Sequence, residues 1–522
     1  MPLPTKNADS LTTTPPGVRW GLGLALLAVL GLRLWHLAAA GLPDYDSVRN
    51  WQVAQALAAG DGRPLFFHAG PGFNLLFALL ARATADVRVF QAANALLGVA
   101  GLGLFAWFVG QAVAAAGRPW RGREAAALVL LGGTGLLLTF SGRDFTSGAG
   151  SLVLAAGLLR SHYQRVQAGV LAARQAGLRE TAAWLAAGLC YNYKFLLAVP
   201  ILLALEVLRA DGAAWRGPTK WQVLLRLALP YAVLMAVGAL AAGLPWYRWP
   251  ATYVRLVLPA GPNLAGREAV LSPDLLYYFR YLLAFESPLL LPALAAGGWL
   301  GWRQWRAAGK PGGRPVPLLL YLSVWAGCWL GGMSLLQKAP RGLLFAYLPL
   351  AALAVLALGR LPGRWRRVGP AMLLAALALN GYRLWQHLYR YPPSHYPAVA
   401  AWLRAHGARR VASTVGVGLA PYLAKNESLT SITGERQLGA LRRRGYDYVV
   451  LDAYWRVANV ARFDSLRRAP ALAAWPEARL AEPLLFLEHS EFTGLGFDQT
   501  LALQWQAAPD SLQLRIYRLA QP

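Results

Sequence analysis

Two aspartates, Asp44 and Asp46, lie just after the first strongly apolar stretch of the chain. A carboxylate at the boundary between membrane and water stays in contact with water, so it can ionise and act as a base. The same position lets it reach a substrate whose apolar tail lies in the lipid. The placement of these two acids therefore predicts chemistry at a membrane interface.

The composition indicates that these acids belong to a membrane protein. Of the 522 residues, 56% are hydrophobic and only 14% are charged, which is too apolar for a soluble protein of several domains. Apolar stretches able to cross about 30 Å of hydrocarbon as helices recur through the first three quarters of the chain. We predict eleven transmembrane helices, over residues 20–40, 88–116, 124–140, 146–160, 181–193, 195–208, 222–244, 284–302, 316–334, 342–359 and 369–386.

The net charge of +27 follows from the predicted topology. Basic residues collect in every second loop, as in the group Arg118, Arg121 and Arg123, whereas the intervening loops carry most of the acids. The positive-inside rule then places the basic loops in the cytoplasm and the acidic loops outside. The predicted topology therefore explains the positive charge, and no nucleic-acid partner is needed to account for it. The alanine-rich composition, with arginine in place of lysine, is typical of bacteria and predicts an inner-membrane protein with its outer face in the periplasm.

The predicted spans divide the chain into three parts. Residues 1–19 form a cytoplasmic tail, residues 20–386 a transmembrane domain, and residues 387–522 an extracytoplasmic domain. Residues 38–40 also resemble a signal-peptide cleavage site. Because the apolar run before them is longer than that of most signal peptides, we predict an uncleaved anchor.

The last part of the chain has the hydropathy of a small soluble α/β domain. Its pattern predicts alternating helices and strands, over residues 397–407, 410–414, 437–444 and 446–452. Gly416 and Gly418 lack the further glycine and acid of a dinucleotide-binding loop, so we interpret them as a turn.

The first external loop, residues 41–87, contains two short apolar patterns. Apolar residues recur at helical spacing over residues 46–59 and stop at Gly60, which predicts an amphipathic helix on the membrane surface. Residues 73–83 are too short to cross and are predicted to lie in the interface. A later external loop, residues 244–283, is rich in aromatic residues. This is typical of an interfacial belt, and sugar stacking or a lid over a lipid remains open.

At this point the chain resembles the GT-C glycosyltransferases, specifically the branch of protein O-mannosyltransferases and lipid A aminoarabinose transferases. The resemblance rests on an acid followed by a surface helix that ends in glycine, and on a His/Pro segment leading into an apolar helix. It extends to a second acidic motif and to two lysine- or arginine-containing segments. These features occupy residues 46–60, 68–80, 141–145, 191–195 and 337–341.

The resemblance implies transfer of a sugar from a polyprenyl-phosphate carrier to a lipid, polysaccharide or protein acceptor outside the membrane, usually with inversion. Such a reaction needs a carboxylate base for the attacking hydroxyl and fixed cations for the leaving phosphate. Asp46 is the first candidate for the base, and Asp44 and Asp144 are the others. The candidate phosphate-binding cations are Lys194, Arg341, Lys338 and Arg143. Candidates for acceptor or sugar contacts are His68, Arg280 and Tyr278.

Each candidate also has a structural interpretation. Asp46 can cap the helix that begins beside it, and Asp144 can pair with its neighbour Arg143. Lys194 can extend to the interface, while Lys338 and Arg341 can anchor the start of a span. For the whole chain, a transporter or flippase of an envelope lipid and a noncatalytic assembly protein are the alternative functions.

The sequence predicts no metal site built from histidine or cysteine. His68 has no neighbouring histidine or cysteine, and Cys190 and Cys328 both fall in apolar spans. A divalent cation, Mg²⁺ or Mn²⁺, remains possible through Asp46 and Asp144, since two acids on one face can hold such an ion.

Overall fold

The structure is a computed structural model. It describes residues 16–37, 41, 45–67, 69–168, 171–209, 219–248, 274–308, 315–336, 338–365, 367–390, 394–414, 418–423, 427–432, 434–452, 463–477, 482–488, 495–506 and 513–519. Asp44, His68 and Gln337 lie outside these ranges.

The described residues in the first three quarters of the chain are mostly helical, as predicted. Their helices are α1 (Pro16–Leu34), α2 (Tyr45–Ala58), α3 (Pro71–Ala81), α4 (Val87–Ala115), α5 (Gly122–Gly133), α6 (Leu136–Arg143), α7 (Ser147–Gln167), α8 (Leu171–Tyr191), α9 (Ala198–Leu208), α10 (Thr219–Ala241), α11 (Tyr277–Phe285), α12 (Leu290–Ala307), α13 (Leu318–Ser334), α14 (Leu344–Leu358) and α15 (Val368–Leu384). Short 3₁₀ turns cover Arg63–Phe66, Tyr193–Leu197, Pro340–Leu343 and Gly363–Trp365, and a π-helical turn covers Trp385–Tyr389.

Two of the described helices, Val87–Ala115 and Pro340–Leu358, are long and apolar enough to cross a membrane. Two helix pairs qualify only as bent spans: α5 with α6, at 69°, and α11 with α12, at 117°. By this measure the described residues provide two to four spans. The number of eleven stays a prediction.

The prediction of one continuous helix over residues 124–140 is wrong. The helix breaks between Gly133 and Leu136. A Cβ at Gly135 would lie 1.9 Å from the hydroxyl oxygen of Tyr347, so only glycine lets the broken backbone pack against this tyrosine. The bend also makes the amino end of α6 a separate helix terminus inside the protein, with N–H groups that need acceptors.

The two helices that the sequence predicts for the first external loop form close to their predicted positions. They are α2 and α3, and they contact each other. Gly60, just past the end of α2, has a φ of +93°, a conformation that favours glycine. Pro71 begins α3, a position where a backbone N–H would have no hydrogen-bond partner within the helix, so proline is tolerated there.

The described residues of the helical region, which we call the membrane domain, share a large buried core. Its largest buried side chains include Trp325 and Trp329 of α13, whose rings stack 5.9 Å apart. The aromatic loop ends earlier than predicted, since α11 begins at Tyr277. Tyr277 and Tyr278 are fully buried in this core, so they are not belt residues, whereas Trp246 is exposed as a belt residue would be. Trp249 and Tyr253 lie outside the described residues.

The last quarter contains a five-stranded sheet, which confirms that this region is α/β. The strands are β1 (Arg410–Ser413), β2 (Ser428–Ser431), β3 (Tyr448–Leu451), β4 (Ala473–Pro476) and β5 (Gln513–Arg518), in the order β2-β1-β3-β5-β4. β1 is parallel to β2 and β3, and β5 is antiparallel to β3 and β4. The sequence predicts β1 and β3 within a few residues and misses the other three.

Five further helices accompany the sheet: α16 (Tyr396–Ala405), α17 (Leu438–Arg443), α18 (Asp464–Arg468), α19 (Pro483–Glu488) and α20 (Phe497–Gln506). The first three border the sheet. Residues of α19 and α20 instead belong to the buried core of the membrane domain, as Leu484, Leu487 and Phe497 show. This pair of helices therefore connects the C-terminal region to the membrane helices.

Candidate active site

The first loop and the segment before α14 meet through an ion pair between Asp46 and Arg341. The Arg341 Nη1 atom lies 2.6 Å from the Asp46 Oδ2 atom, and each side chain keeps 19% of its surface exposed. Asp46 lies in the first turn of α2, one residue after its start at Tyr45, so it does not occupy the cap position. A carboxylate in the first turn is stabilised by the positive end of the helix dipole. The site thus holds an accessible carboxylate beside a fixed cation.

The second acidic motif lies next to this pair. Asp144 directly follows the last residue of α6 and is 3% exposed. Its Oδ1 atom accepts hydrogen bonds from the hydroxyl of Ser47, the residue after Asp46, and from the backbone N–H of Phe145, at 2.9 Å. Asn94 donates to the Asp144 carbonyl at 2.6 Å, and Asn50 donates to the Phe145 carbonyl at 3.1 Å. Asp46 is therefore close to Asp144, because Ser47, the residue after Asp46, bonds directly to the Asp144 carboxylate.

Arg143 has a position that supports α1. Its Nη1 atom donates to the carbonyls of Leu32, Arg33 and Trp35, at 3.3 Å and 3.0 Å for the first two. Its guanidinium also lies 5.0 Å from the ring centroid of Tyr389. A cation on the last carbonyls of a helix is stabilised by the helix dipole, so these contacts give Arg143 a structural role in anchoring this helix end.

Lys194 lies in the short turn Tyr193–Leu197, which follows α8. The Asn192 side chain accepts from the Lys194 backbone N–H at 3.1 Å and donates to the Ser151 hydroxyl at 3.1 Å. The loop before α3 approaches the end of α8 closely, because a Cβ on Gly70 would lie 2.3 Å from the carbonyl oxygen of Cys190 and 2.7 Å from the carbonyl carbon of Tyr191. The segments 69–80 and 191–195 are therefore in direct contact at Gly70 and Tyr191.

Lys338 and Tyr278 flank Arg341. Lys338 is 6% exposed and its Nζ atom donates to the Leu336 carbonyl. Burial lowers the pKa of Lys338, and the nearby Asp274 opposes this shift. The Tyr278 hydroxyl donates to the Ala339 carbonyl at 3.2 Å, which fixes the chain between Lys338 and Arg341. Lys338 thus lies three residues before Arg341, and Tyr278 contacts the backbone between these two residues.

Arg280 lies on the surface, in an ion pair with Asp498. Its Nη1 atom is 2.6 Å from the Asp498 Oδ2 atom, and the two side chains are 47% and 76% exposed. This pair joins α11 to α20. Its observed partner belongs to the C-terminal region, and its role in acceptor binding stays a prediction.

Among the described residues, no group of three or more His, Cys, Asp or Glu side chains is placed to hold a metal ion. The cation observed beside Asp46 is a guanidinium. A divalent cation held by Asp46 and Asp144 stays a prediction.

Several residues of the site are not predicted by the sequence analysis. Gln91 and Asn94 are buried polar residues three positions apart in the apolar helix α4, and this spacing was an available signal because polar groups inside a span are costly. Gln91 donates to the carbonyls of Gly41, at 2.7 Å, and Arg143, at 3.1 Å. Glu488, which contacts Arg341, lies in an apolar run and gives no such signal.

Comparisons with known proteins support the fold. No family model matches the chain, and no curated protein matches its sequence. Among solved structures, the oligosaccharyltransferase of Archaeoglobus fulgidus in the apo form matches with a TM-score of 0.56 at 14% identity, over 84% of this chain and 70% of that one. ArnT from Cupriavidus metallidurans in the apo state matches with a TM-score of 0.54 at 17% identity, over 89% of this chain and 97% of that one.

The chain therefore shares its fold with these solved structures, and this is the fold that the sequence resemblance implies. A second ArnT structure, bound to undecaprenyl phosphate, matches with a TM-score of 0.52 at 16% identity, over 88% of this chain and 96% of that one. The likeness to ArnT thus extends over nearly the whole of both chains.

Proposed function

We propose that this chain is a membrane glycosyltransferase that moves a sugar from a polyprenyl-phosphate-linked donor to an acceptor of the bacterial cell envelope, at the periplasmic face and with inversion. The observation that carries this proposal is the ion pair between Asp46 and Arg341. These residues are 295 positions apart in sequence, and the fold brings them within 2.6 Å. A carboxylate and a cation side by side are the two groups that the transfer requires.

The donor class follows from the setting of this pair. A polyprenyl phosphate combines a long apolar tail with an anionic head, and such a molecule suits charged groups at the ends of apolar helices. The ArnT structure that is bound to undecaprenyl phosphate supports the same donor class. The acceptor is a lipid, polysaccharide or protein of the envelope.

The reaction assigns a distinct task to each charge. The acceptor hydroxyl oxygen bonds to the anomeric carbon as the bond from that carbon to the phosphate oxygen breaks. The hydroxyl proton passes to the Asp46 carboxylate, and the phosphate leaves with the electron pair of the broken bond. Arg341, with Lys338 three residues before it, then offsets the charge that develops on the phosphate.

Asp46 is favoured over Asp144 as the base because it is more accessible. Asp46 keeps 19% of its side chain exposed, whereas Asp144 is 3% exposed and accepts hydrogen bonds from Ser47 and Phe145. Asp144 is therefore assigned to holding the loop beside the base. Asp44 lies outside the described residues and is the remaining alternative.

The test is transfer of labelled sugar from a panel of polyprenyl-phosphate sugars in membranes that contain the chain. Asp46→Asn is compared with wild type and with Asp61→Asn. Asp61 belongs to the same loop but pairs with Arg63 at 3.2 Å, with 45% of its side chain exposed. We expect wild type and Asp61→Asn to transfer equally, and Asp46→Asn to lose about 100-fold or more, the contribution typical of a general base.

Two outcomes would count against the proposal. Full transfer by Asp46→Asn would move the base to Asp144 or Asp44, which the same substitution at those positions would decide. Absence of transfer from every donor by wild type, with movement of the lipid across the bilayer, would instead favour a flippase. Membrane insertion of each variant is measured in parallel so that loss of protein is not mistaken for loss of chemistry.

A further inference from the structure

Two short helices of the C-terminal region pack on the membrane domain. All six residues of α19 are buried, and Leu484 and Leu487 join the core of the membrane helices. The Tyr277 hydroxyl of α11 donates to the Leu487 carbonyl at 3.4 Å, and the Phe497 ring of α20 lies 5.5 Å from the Tyr277 ring. We call α19 and α20 the docking helices. Their apolar contacts place the end of α19 beside the active site.

Glu488, the last residue of α19, contacts Arg341 at two points. Its Oε1 atom accepts from the Arg341 backbone N–H at 2.7 Å, and its Oε2 atom lies 3.0 Å from the Arg341 Nε atom. Glu488 is 2% exposed, so its carboxylate is withdrawn from water at this contact. One buried carboxylate therefore holds both the backbone and the side chain of Arg341.

This double contact fixes which edge of the guanidinium faces Asp46. The guanidinium is a planar fork of five N–H donors on a long flexible chain, and ordering such a side chain costs conformational entropy. Glu488 takes the Nε edge, while the terminal Nη1 atom lies 2.6 Å from the Asp46 Oδ2 atom. Without Glu488, Arg341 would be able to turn its Nε edge toward Asp46 and form a different, bidentate pair.

We propose that Glu488 is a positioning residue that orients Arg341 against Asp46, so that the C-terminal region completes the active site. This inference rests on the proposed function, since it assigns Glu488 a role in sugar transfer. It predicts that loss of the Glu488 charge slows the chemical step while the donor still binds. It also gives the docking helices a task beyond holding two regions together.

The first experiment measures the kcat and donor KM of Glu488→Gln in proteoliposomes. Glutamine keeps the size of the side chain and removes its charge. We expect kcat to fall about tenfold to a hundredfold and the KM to change less than about threefold, as for an interaction made mainly in the transition state. Glu477→Gln is the matched control, because Glu477 is also a buried acid of the C-terminal region but accepts from the His395 backbone N–H, at 2.7 Å. We expect this control to keep the wild-type kcat.

The second experiment is a double-mutant cycle with Arg341→Met. If Glu488 acts through Arg341, adding Glu488→Gln to Arg341→Met causes no further loss of kcat. Independent, multiplying losses would overturn the proposal, as would a wild-type kcat in Glu488→Gln. Should Glu488→Gln fail to insert, Arg341→Lys answers the same question, because lysine keeps the charge and lacks the Nε contact. A wild-type rate in that variant would also overturn the proposal, whereas inactive wild type would refute the proposed function itself.

Discussion

The hydroxyl of Ser47 donates a hydrogen bond to the carboxylate of Asp144, which links the two acidic segments. Because Ser47 follows Asp46 directly, this bond fixes the position of Asp46 relative to Asp144. Ser47 is fully buried, so its removal leaves a buried carboxylate oxygen without this donor. We expect Ser47→Ala to lower the transfer rate about tenfold or more, as loss of a hydrogen bond to a charged group does. Initial rates in membranes measure the change.

The control for this prediction is Ser161→Ala. Ser161 is also fully buried, but its hydroxyl donates to the Leu158 carbonyl of its own helix, at 3.1 Å. The two variants lose the same atom in different surroundings. Equal rates in Ser47→Ala and Ser161→Ala would show that the link between the acidic segments has no part in the reaction.

The approach of Gly70 to the end of α8 leaves no space for a side chain. A Cβ at this position would lie 2.3 Å from the Cys190 carbonyl oxygen and 2.7 Å from the Tyr191 carbonyl carbon. Both neighbours are backbone atoms, so the first loop must shift instead. We expect Gly70→Ala to cost about 1–3 kcal/mol of stability, the usual range for overpacking, and to lower the melting temperature in detergent.

Gly23→Ala is the matched substitution, because a Cβ on Gly23, inside α1, meets nothing within 4 Å. Alanine is the better helix former, so this variant should unfold at the wild-type temperature or slightly above it. A Gly70→Ala protein as stable as Gly23→Ala would mean that the contact between the first loop and residues 191–195 is looser than the structure has it.

The parts of this fold that local pattern determines are predictable from sequence. The apolar period of residues 46–59 and the glycine that follows predict α2 to within one residue of Tyr45–Ala58. Likewise, the short continuous apolar run around Val449 predicts β3, whose four residues are all buried. The pairing of Asp46 with Arg341 is not predictable from the sequence, since nothing near Asp46 in the sequence indicates Arg341.

Elements whose position depends on distant contacts are not predictable in this way. Strands β2 and β4 lie at the two edges of the sheet and contain no fully buried residue, so neither has a buried apolar run like that of β3. The break after Gly133 depends on Tyr347 and Glu286, which lie far along the chain. Glu488 falls in an apolar run whose pattern indicates burial without indicating what the acid contacts.

The π-helical turn after α15 provides a pH-dependent component of stability. Burial lowers the pKa of His387 from 6.5 to about 4, and the charges of Arg383 and Arg390 act in the same direction. Between these two values the unfolded chain binds a proton that the folded chain does not. Stability is therefore lost as the pH falls from 6.5 toward 4, and this component is constant above about pH 7.

We expect His387→Gln to lose less thermal stability than wild type between pH 7.5 and pH 4.5, measured as the change in melting temperature in detergent. His406→Gln is the control, since His406 is exposed at the end of α16. If wild type and His387→Gln lose the same amount over this range, His387 is accessible to protons in the folded protein and the assignment is wrong.

The last prediction concerns the carboxylate of Glu286, which holds the amino end of α6. Fully buried, it accepts from the backbone N–H groups of Leu136, at 3.1 Å, and Leu137, at 2.7 Å. It also accepts from the hydroxyls of Tyr281, at 2.9 Å, and Tyr347, at 2.5 Å. Four donors from three parts of the membrane domain thus depend on one side chain.

Glu286→Ala removes this acceptor and leaves those donors buried, at a cost of about 1–3 kcal/mol for each one that finds no other acceptor. We therefore expect a large fall in melting temperature, and a smaller one for Glu286→Gln, whose amide oxygen still accepts. Glu180→Ala is the control, because Glu180 is 45% exposed in a surface pair with Arg160. The other end of α6 leads into Asp144, so Glu286→Gln should also slow transfer. A melting temperature for Glu286→Ala equal to that of Glu180→Ala would show that the break in the α5–α6 span is held by other contacts.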